Sequence, residues 1–205
     1  MKKTLLSTLV LATLGMASAV ATAQENPWMV RARAVSVEWK NSGSAGTDGS
    51  GVWAKDKTIP EVDISYFFTK NIAAELVLTY PQKVDIYAGA TKTGHLNALP
   101  PSLLLQYHFT NFGQVKPYVG AGINLTHFGR NDKLALTSST VSVDKYSVGY
   151  AAQVGVDYMI DKHWGVNLDV KYLQIDTNVD LAGTGSLGKL KLNPVTAGVG
   201  VTYKF

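Results

Sequence analysis

The sequence contains no cysteine, and beyond residue 23 it has no apolar run of the length that a membrane-spanning helix needs. The missing cysteines exclude disulfides, so other forces must hold an exported chain together, and a closed hydrogen-bonded sheet can do so. The missing apolar run excludes a helical membrane protein. Helix formers such as Glu and Leu also never keep a 3.6-residue spacing for long. Together with 19 glycines, these absences predict an all-β protein.

The N-terminal segment has the pattern of a secretory signal peptide. Lys2 and Lys3 precede an apolar stretch, and Ala21-Thr22-Ala23 is a small-x-small cleavage site. We therefore expect residues 1–23 to be a signal peptide and residues 24–205 to form one domain. An uncleaved membrane anchor is the alternative, and the cleavage site argues against it. Cleavage of the signal peptide would also remove two lysines and lower the formal net charge of +4. The basic pI therefore does not indicate a nucleic-acid partner.

The last twelve residues alternate strictly between an apolar and a polar face. The apolar set is Val195, Ala197, Val199, Val201, Tyr203 and Phe205, and the polar set is Thr196, Gly198, Gly200, Thr202 and Lys204. This period of two is typical of a β-strand, and the length is about what a tilted strand needs to cross a bilayer.

Seven further segments repeat the pattern, so the sequence predicts eight strands. Their predicted bounds are 28–39, 59–68, 72–80, 101–109, 117–128, 146–160, 164–175 and 194–205. Short turns alternate with long polar segments, which we interpret as loops at 40–57, 81–99, 129–145 and 177–188. In the first strand the apolar parity shifts after Ala34 to Val35 and Val37, which predicts a β-bulge.

The composition of the polar faces decides which way the strands point. A soluble sandwich would carry many Lys and Glu residues there, whereas these faces carry Gly, Ser, Thr, Asn, Gln and a few charges of both signs. Such residues suit the filled interior of a small barrel. The prediction is an eight-stranded antiparallel up-and-down transmembrane β-barrel with short periplasmic turns, longer extracellular loops and aromatic girdles. An exported soluble sandwich is the alternative.

Several segments resemble the OmpW family of small outer-membrane proteins. They include LPPSLLLQYHF at 99–109, PYVGAGINLT at 117–126 and QVGVDYM at 153–159, and they recur in order over the chain beyond the signal peptide. The resemblance implies an eight-stranded barrel in the outer membrane of a Gram-negative bacterium. Relatives such as the alkane-uptake protein AlkL are associated with passage of small hydrophobic molecules across that membrane.

The expected partners follow from this resemblance and from the fold. We expect a monomer embedded in outer-membrane lipid and lipopolysaccharide, assembled by the outer-membrane assembly machinery, with small hydrophobic solutes as its cargo. No nucleic-acid partner and no cofactor are expected. Val201, Tyr203 and Phe205 also resemble the C-terminal signature by which such barrels are recognised for assembly.

Charged residues on the inward faces predict a salt-bridged network. The cations are Arg31, Arg33 and Lys171, and the carboxylates are Glu61, Asp63, Glu75, Asp157 and Asp169. Buried charges persist when they are paired, so this network would plug the lower lumen and block an axial water channel. The alternative is that these charges only satisfy each other structurally.

Prolines cluster at the outer ends of the second, third and fourth strands, at Pro60, Pro81, Pro100 and Pro101. Proline cannot donate to a strand ladder, so the cluster predicts a gap in the barrel wall. Our hypothesis is a lateral opening through which an apolar solute leaves into the membrane. The alternative is that the prolines only terminate strands.

The family resemblance implies bulky apolar side chains at a channel constriction, and Val77 and Leu104 fit that description. Lys171 stands where relatives can carry an inward Trp, so a tight hydrophobic gate is in doubt there. The four histidines show no metal-ligand spacing, and no nucleophile motif surrounds Ser102 and His108. The sequence therefore predicts no catalytic or metal site. A structural or adhesive barrel without transport, or a lipid-modifying barrel enzyme, remains the alternative.

Overall fold

This computed structural model describes residues 26–40, 42–43, 52–88, 90–129, 134–135, 140–181 and 185–205. These residues contain sixteen strands. In chain order they are β1 (Trp28–Glu38), β2 (Ser42–Gly43), β3 (Val52–Ala54), β4 (Lys57–Phe67), β5 (Ile72–Leu78), β6 (Gln82–Ala88), β7 (Thr91–Leu99), β8 (Ser102–His108), β9 (Val115–Phe128), β10 (Leu134–Ala135), β11 (Thr140–Val143), β12 (Tyr146–Met159), β13 (Trp164–Leu173), β14 (Asp176–Leu181), β15 (Gly185–Lys191) and β16 (Val195–Lys204). The predicted signal peptide lies outside the described residues. No helix among them is long and apolar enough to cross a membrane.

Eight of these strands close into the predicted barrel. The order around it is β1, β4, β5, β8, β9, β12, β13 and β16, and β16 pairs with β1 to complete the ring. Neighbouring strands in the ring are all antiparallel and follow one another along the chain, so the chain runs up and down. Closure pairs every barrel strand with two neighbours, so no strand is left as an open edge of the sheet. The fold prediction is confirmed.

Two details of the prediction are wrong. The long segments interpreted as loops contain strands: β6 and β7 form a hairpin, and β2, β10, β11, β14 and β15 form a second sheet. The predicted bulge in β1 is absent, because its register runs unbroken against β16 from Met29–Lys204 to Glu38–Val195. Val35 and Val37 keep the inward parity of Arg31 and Arg33. The shift in apolar parity therefore reflects a change from charged to apolar side chains in the lumen, and the backbone of β1 stays regular.

The barrel is apolar outside and polar inside, as its environment requires. Outward side chains such as Leu105, Ile123 and Val148 are 60%, 60% and 74% exposed. Inward polar side chains such as Asn124 and Thr202 are fully buried. In water this arrangement would expose a large hydrophobic surface, whereas in a bilayer the same surface faces lipid.

The short turns hold the strands of each hairpin in register through one side-chain oxygen. Asp161 Oδ1 accepts the N–H groups of His163 and Trp164 at 2.7 Å each, which also lowers the pKa of that carboxyl. Thr69 Oγ1 does the same for Asn71 and Ile72 at 3.2 Å and 3.0 Å. Both turns lie at the end of the barrel where the chain begins and ends.

Candidate functional site

The lumen changes character part-way along the strands. On β1 the inward residues are first Arg31 and Arg33 and then Val35 and Val37, all four buried. On β13 Asp169 and Lys171 are followed by Leu173. The lower half of the barrel is therefore a charged core, and the upper half is apolar.

Arg31 organises the lowest layer of the charged core. Its guanidinium donates to both carboxylate oxygens of Asp157, at 3.0 Å and 2.7 Å, and to Glu75 Oε1 at 3.0 Å. Asp157 Oδ1 also accepts from Asn167 and Thr202. Bidentate, charge-assisted bonds of this kind are strong and geometrically specific.

Arg33 and Lys171 organise the layer above. Arg33 Nη2 pairs with Asp63, and with Glu61 Oε1 at 3.2 Å. Lys171 Nζ lies 2.9 Å from Glu61 Oε1 and 3.3 Å from Asp169 Oδ1. Glu61 thus bridges the two cations. We call the two layers together, with all eight charged residues that the sequence predicted for the network, the charged plug.

Neutral residues join the two layers, and sequence reasoning did not assign them to the network. The Tyr118 hydroxyl donates to Asp169 Oδ2 at 2.9 Å, and Arg31 stacks over the Tyr118 ring at 4.7 Å. Asn167 accepts from Arg33 and donates to Asp157. Gln153 donates to Asp169 Oδ2 at 2.7 Å. Their inward parity was visible in the sequence, but partners up to 134 residues apart were not.

Glycines make room for the largest plug side chains. A β-carbon at Gly155 would overlap the Tyr118 phenol, and one at Gly200 would overlap Arg33 and the backbone of Ala32. The glycines on the inward faces therefore leave space that arginine and tyrosine fill. This explains how a barrel of eight strands can hold so many long polar residues.

The charges of the plug do not balance. Its three cations, Arg31, Arg33 and Lys171, meet five carboxylates. Two carboxylate oxygens, Asp63 Oδ1 and Glu75 Oε2, are buried without a hydrogen-bond partner among the described residues. Neither Asp63 nor Glu75 is exposed at all. The plug therefore holds more carboxylates than cations in a buried site.

An apolar compartment lies directly above the plug. Its walls are mostly aliphatic and include Val35, Val37, Ile59, Val77, Val84, Leu173 and Ile175; the plug's Glu61 and Lys171 lie at its floor, and Lys55 and Lys57 also line it. The space left free is about 40 Å³, room for only a few waters. A larger solute therefore needs these side chains to move. We call this space the upper compartment.

The predicted constriction residues lie at the boundary between the two halves. Val77 and Leu104 point inward and are 3% and 1% exposed, and they belong to the same hydrophobic cluster. Val77 and Lys171 both line the upper compartment. Lys171 is held by the plug's carboxylates, so it forms part of the compartment floor and does not project into its centre.

Strand pairing fails in the wall beside the upper compartment. β4 pairs with β1 as far as Val37–Lys57, but its pairing with β5 ends at Val62–Leu78. The pairing of β5 with β8 ends at Val77–Ser102. All four predicted prolines lie just beyond these two last pairs, Pro60 and Pro81 on the first seam and Pro100 and Pro101 on the second.

This gap in the strand pairing is bounded on all sides. Residues 57–61 of β4 form one side, and residues 79–81 with β6 form the other. Lys55 N–H donates to Asp85 O at 3.1 Å and closes the top, where β3 pairs with β6. Lys55, Lys57, Thr79 and Gln82 line both the window and the upper compartment. We call this gap the lateral window.

The predicted assembly residues lie away from the lumen. Val201 and Phe205 face outward at 49% and 47% exposure, and Tyr203 packs edge-on against Trp164 and Phe205 at 4.8 Å each. Their role in assembly stays a prediction. Ser102 accepts from Asn124, and His108 contacts Gln106. Among the described residues no group of three or more His, Asp or Glu could hold a metal ion.

Comparison with known proteins places these features in a family. The sequence profile of the OmpW family matches residues 24–205. The chain belongs to the OmpW family. It is 48% identical over 186 residues to the uncharacterized outer-membrane protein y4mB of Sinorhizobium fredii, which covers 88% of this chain and 80% of that protein. It is 35% identical over 216 residues to outer membrane protein W of Escherichia coli, along the whole of both chains.

Solved structures of the OmpW family share the barrel. The crystal structure of the outer membrane protein OprG from Pseudomonas aeruginosa superposes with a TM-score of 0.73 at 27% identity, covering 89% of this chain and 97% of that one. The protein is thus an outer-membrane β-barrel of a Gram-negative bacterium, as the sequence predicted.

Proposed function

We propose that this OmpW-family barrel is a passive channel for small hydrophobic molecules, and that its route bends. A solute enters the upper compartment from outside, is stopped by the charged plug, and leaves sideways through the lateral window into the membrane. The observation that carries the proposal is the juxtaposition of three adjoining features: an apolar compartment, a charged floor below it and a break in the strand pairing beside it.

The charged plug supports the first part of this route. Water and ions would have to displace buried, mutually bonded charges to pass along the axis, and removing one partner of such a pair is costly. An apolar solute gains nothing from the plug's polar groups. The plug thus separates a hydrophobic path from an aqueous one.

The lateral window supports the second part. A solute leaving through it passes from an aliphatic compartment to outward aliphatic residues such as Val62 and Leu78, which are 42% and 39% exposed. Its apolar surface therefore stays out of water for the whole of this step. Transfer of apolar surface into water costs about 25 cal/mol per Å², so a lateral exit is strongly favoured over an aqueous one.

The experiment is the uptake of n-octane by cells with and without the protein. We expect faster uptake with it, and a reduction of several-fold when Pro60 and Pro81 are both replaced by Val, because restored backbone donors allow the β4–β5 seam to extend. Pro117→Val on β9, far from the window, is the matched control and should behave as wild type.

A heat-dependent mobility shift on gels should confirm that each variant forms a barrel. Octane uptake that is independent of the wild-type protein would overturn the proposed function and favour a structural barrel. Uptake that depends on the protein but is unchanged in the proline double variant would overturn the lateral route alone.

A further inference from the structure

Two polar groups in the upper compartment have no partner. Thr79 Oγ1 and Gln82 Oε1 are both buried, and neither makes a hydrogen bond among the described residues. A buried polar atom without a partner costs free energy and needs an explanation. These two atoms flank Tyr80 and Pro81, so they lie on the same edge of the lateral window.

The Gln82 amide has a defined orientation. Its Nε2 donates to the Tyr80 carbonyl at 2.9 Å, and a carbonyl can only accept, so the nitrogen must face it. The oxygen of the amide is then the group left over. With Gln82 only 5% exposed, that oxygen is a fixed acceptor inside an apolar space.

Other neutral polar groups of the same compartment are occupied. Ser102 Oγ accepts from Asn124 Nδ2 at 2.9 Å, and Thr196 Oγ1 donates to Lys171 O at 3.5 Å. Among these neutral groups, the hydrogen-bonding capacity left over is one acceptor, Gln82 Oε1, and one hydroxyl, Thr79 Oγ1, that can donate; the Lys55 and Lys57 side chains also line the compartment.

We infer that the lateral window contains a binding subsite for the terminal hydroxyl of an otherwise apolar solute, such as a medium-chain primary alcohol. The solute O–H donates to Gln82 Oε1, and the solute oxygen accepts from the Thr79 hydroxyl. The hydrocarbon tail lies against the aliphatic wall formed by Ile59, Val77 and Val84. A plain alkane fills the same wall but leaves both polar atoms unpaired. This inference rests on the proposed function and narrows its substrate class.

The test compares initial uptake of 1-octanol and n-octane by cells that make the wild-type protein, Thr79→Val or Gln82→Met. The uptake of cells without the protein is subtracted in each case. Thr79→Val keeps the shape of the side chain and removes its hydroxyl. We expect each variant to lower octanol uptake about threefold to tenfold, the effect of one lost hydrogen bond, and to leave octane uptake unchanged or raised.

Thr58→Val is the matched control, because Thr58 is an exposed residue of β4 that does not line the compartment. It should keep the wild-type ratio of octanol to octane uptake. Gel mobility before and after heating verifies that each variant is folded.

A wild-type protein that fails to speed uptake of either solute would overturn the proposed function and this inference with it. Protein-dependent uptake of both solutes, with an octanol-to-octane ratio that Thr79→Val and Gln82→Met do not change, would overturn the hydroxyl subsite and leave the channel intact.

Discussion

The charged plug and the upper compartment are built from the same strands at successive inward positions, yet their physical chemistry is opposite. Below the boundary, Arg31, Arg33 and Asp169 are held in a network of hydrogen bonds and ion pairs. Above it, Val35 and Leu173 line a cavity of about 40 Å³. Within two residues along a strand, the lumen changes from a charged network to an aliphatic compartment.

Under the proposed function, one barrel would be closed to water and open to an apolar solute. A hydrogen-bonded network has few alternative arrangements, because each donor is matched to a placed acceptor. Aliphatic side chains interact without direction, so they can move aside at lower cost. A seal and a flexible space therefore need different residues, and strand pairing is interrupted beside the flexible one.

The largest effect should follow from breaking the plug with Arg31→Met. Asp157 and Glu75 would lose their cation in a buried site, so we expect the free energy of unfolding to fall by about 3–5 kcal/mol. Urea unfolding of the refolded barrel, followed by tryptophan fluorescence, measures this. Ion conductance in planar bilayers should rise at the same time.

Lys92→Met provides the control for lost charge. Lys92 bridges Asp85 at 2.8 Å, but both side chains are partly exposed on the β6–β7 hairpin, so its removal should leave the free energy of unfolding nearly unchanged. If Arg31→Met were as mild as Lys92→Met and left conductance at the wild-type level, the plug would not be the seal.

A smaller effect should follow from making the upper compartment polar with Val77→Asn. The amide would have to lose water or hydrogen bonds to admit an apolar solute, and we expect octane uptake to fall about tenfold. Val77→Ile, which keeps the site apolar, should stay within twofold of wild type. Uptake that tolerates asparagine would show that solutes do not pass this point.

The smallest effect should come from the boundary itself, in a double-mutant cycle of Glu61→Gln and Lys171→Met. The two side chains are paired at 2.9 Å, but Arg33 also neutralises Glu61. We expect the double variant to lose about 1–2 kcal/mol less free energy of unfolding than the two single variants lose together. A coupling energy near zero in unfolding experiments would mean that Lys171 is not held by the plug.

Much of this architecture could be predicted from the sequence, because period-two alternation reports directly which residues share a face. The eight strands and the inward placement of Arg31, Arg33 and Glu75 followed from that pattern. The upper compartment did not, because inward residues were expected to be polar. Val35 and Val37 were therefore assigned to a bulge, when an unbroken strand simply carries apolar residues inward.

The rest depends on contacts between distant parts of the chain. Tyr118 and Asn167 have inward parity, but nothing local shows that they join Arg33 to Asp169 and Asp157. The lateral opening is predicted from proline alone and stays a prediction. Its upper boundary, formed by Lys55 and Asp85, lies in segments that were interpreted as loops and could not be derived from alternation.

The most direct test of the bent route is to lock the lateral window. The chain has no cysteine, so Pro60→Cys with Tyr80→Cys, both outward-facing across the gap, can be bridged by a short thiol crosslinker. Ala34→Cys with Val199→Cys is the matched pair, because Ala34 opposes both Pro60 and Val199 at the same height on a paired seam. We expect crosslinking of the first pair to lower octane uptake at least tenfold, and cleavage of the crosslink to restore it. Crosslinking of the second pair should have no effect on uptake. Equal uptake before and after crosslinking the window would contradict the bent route.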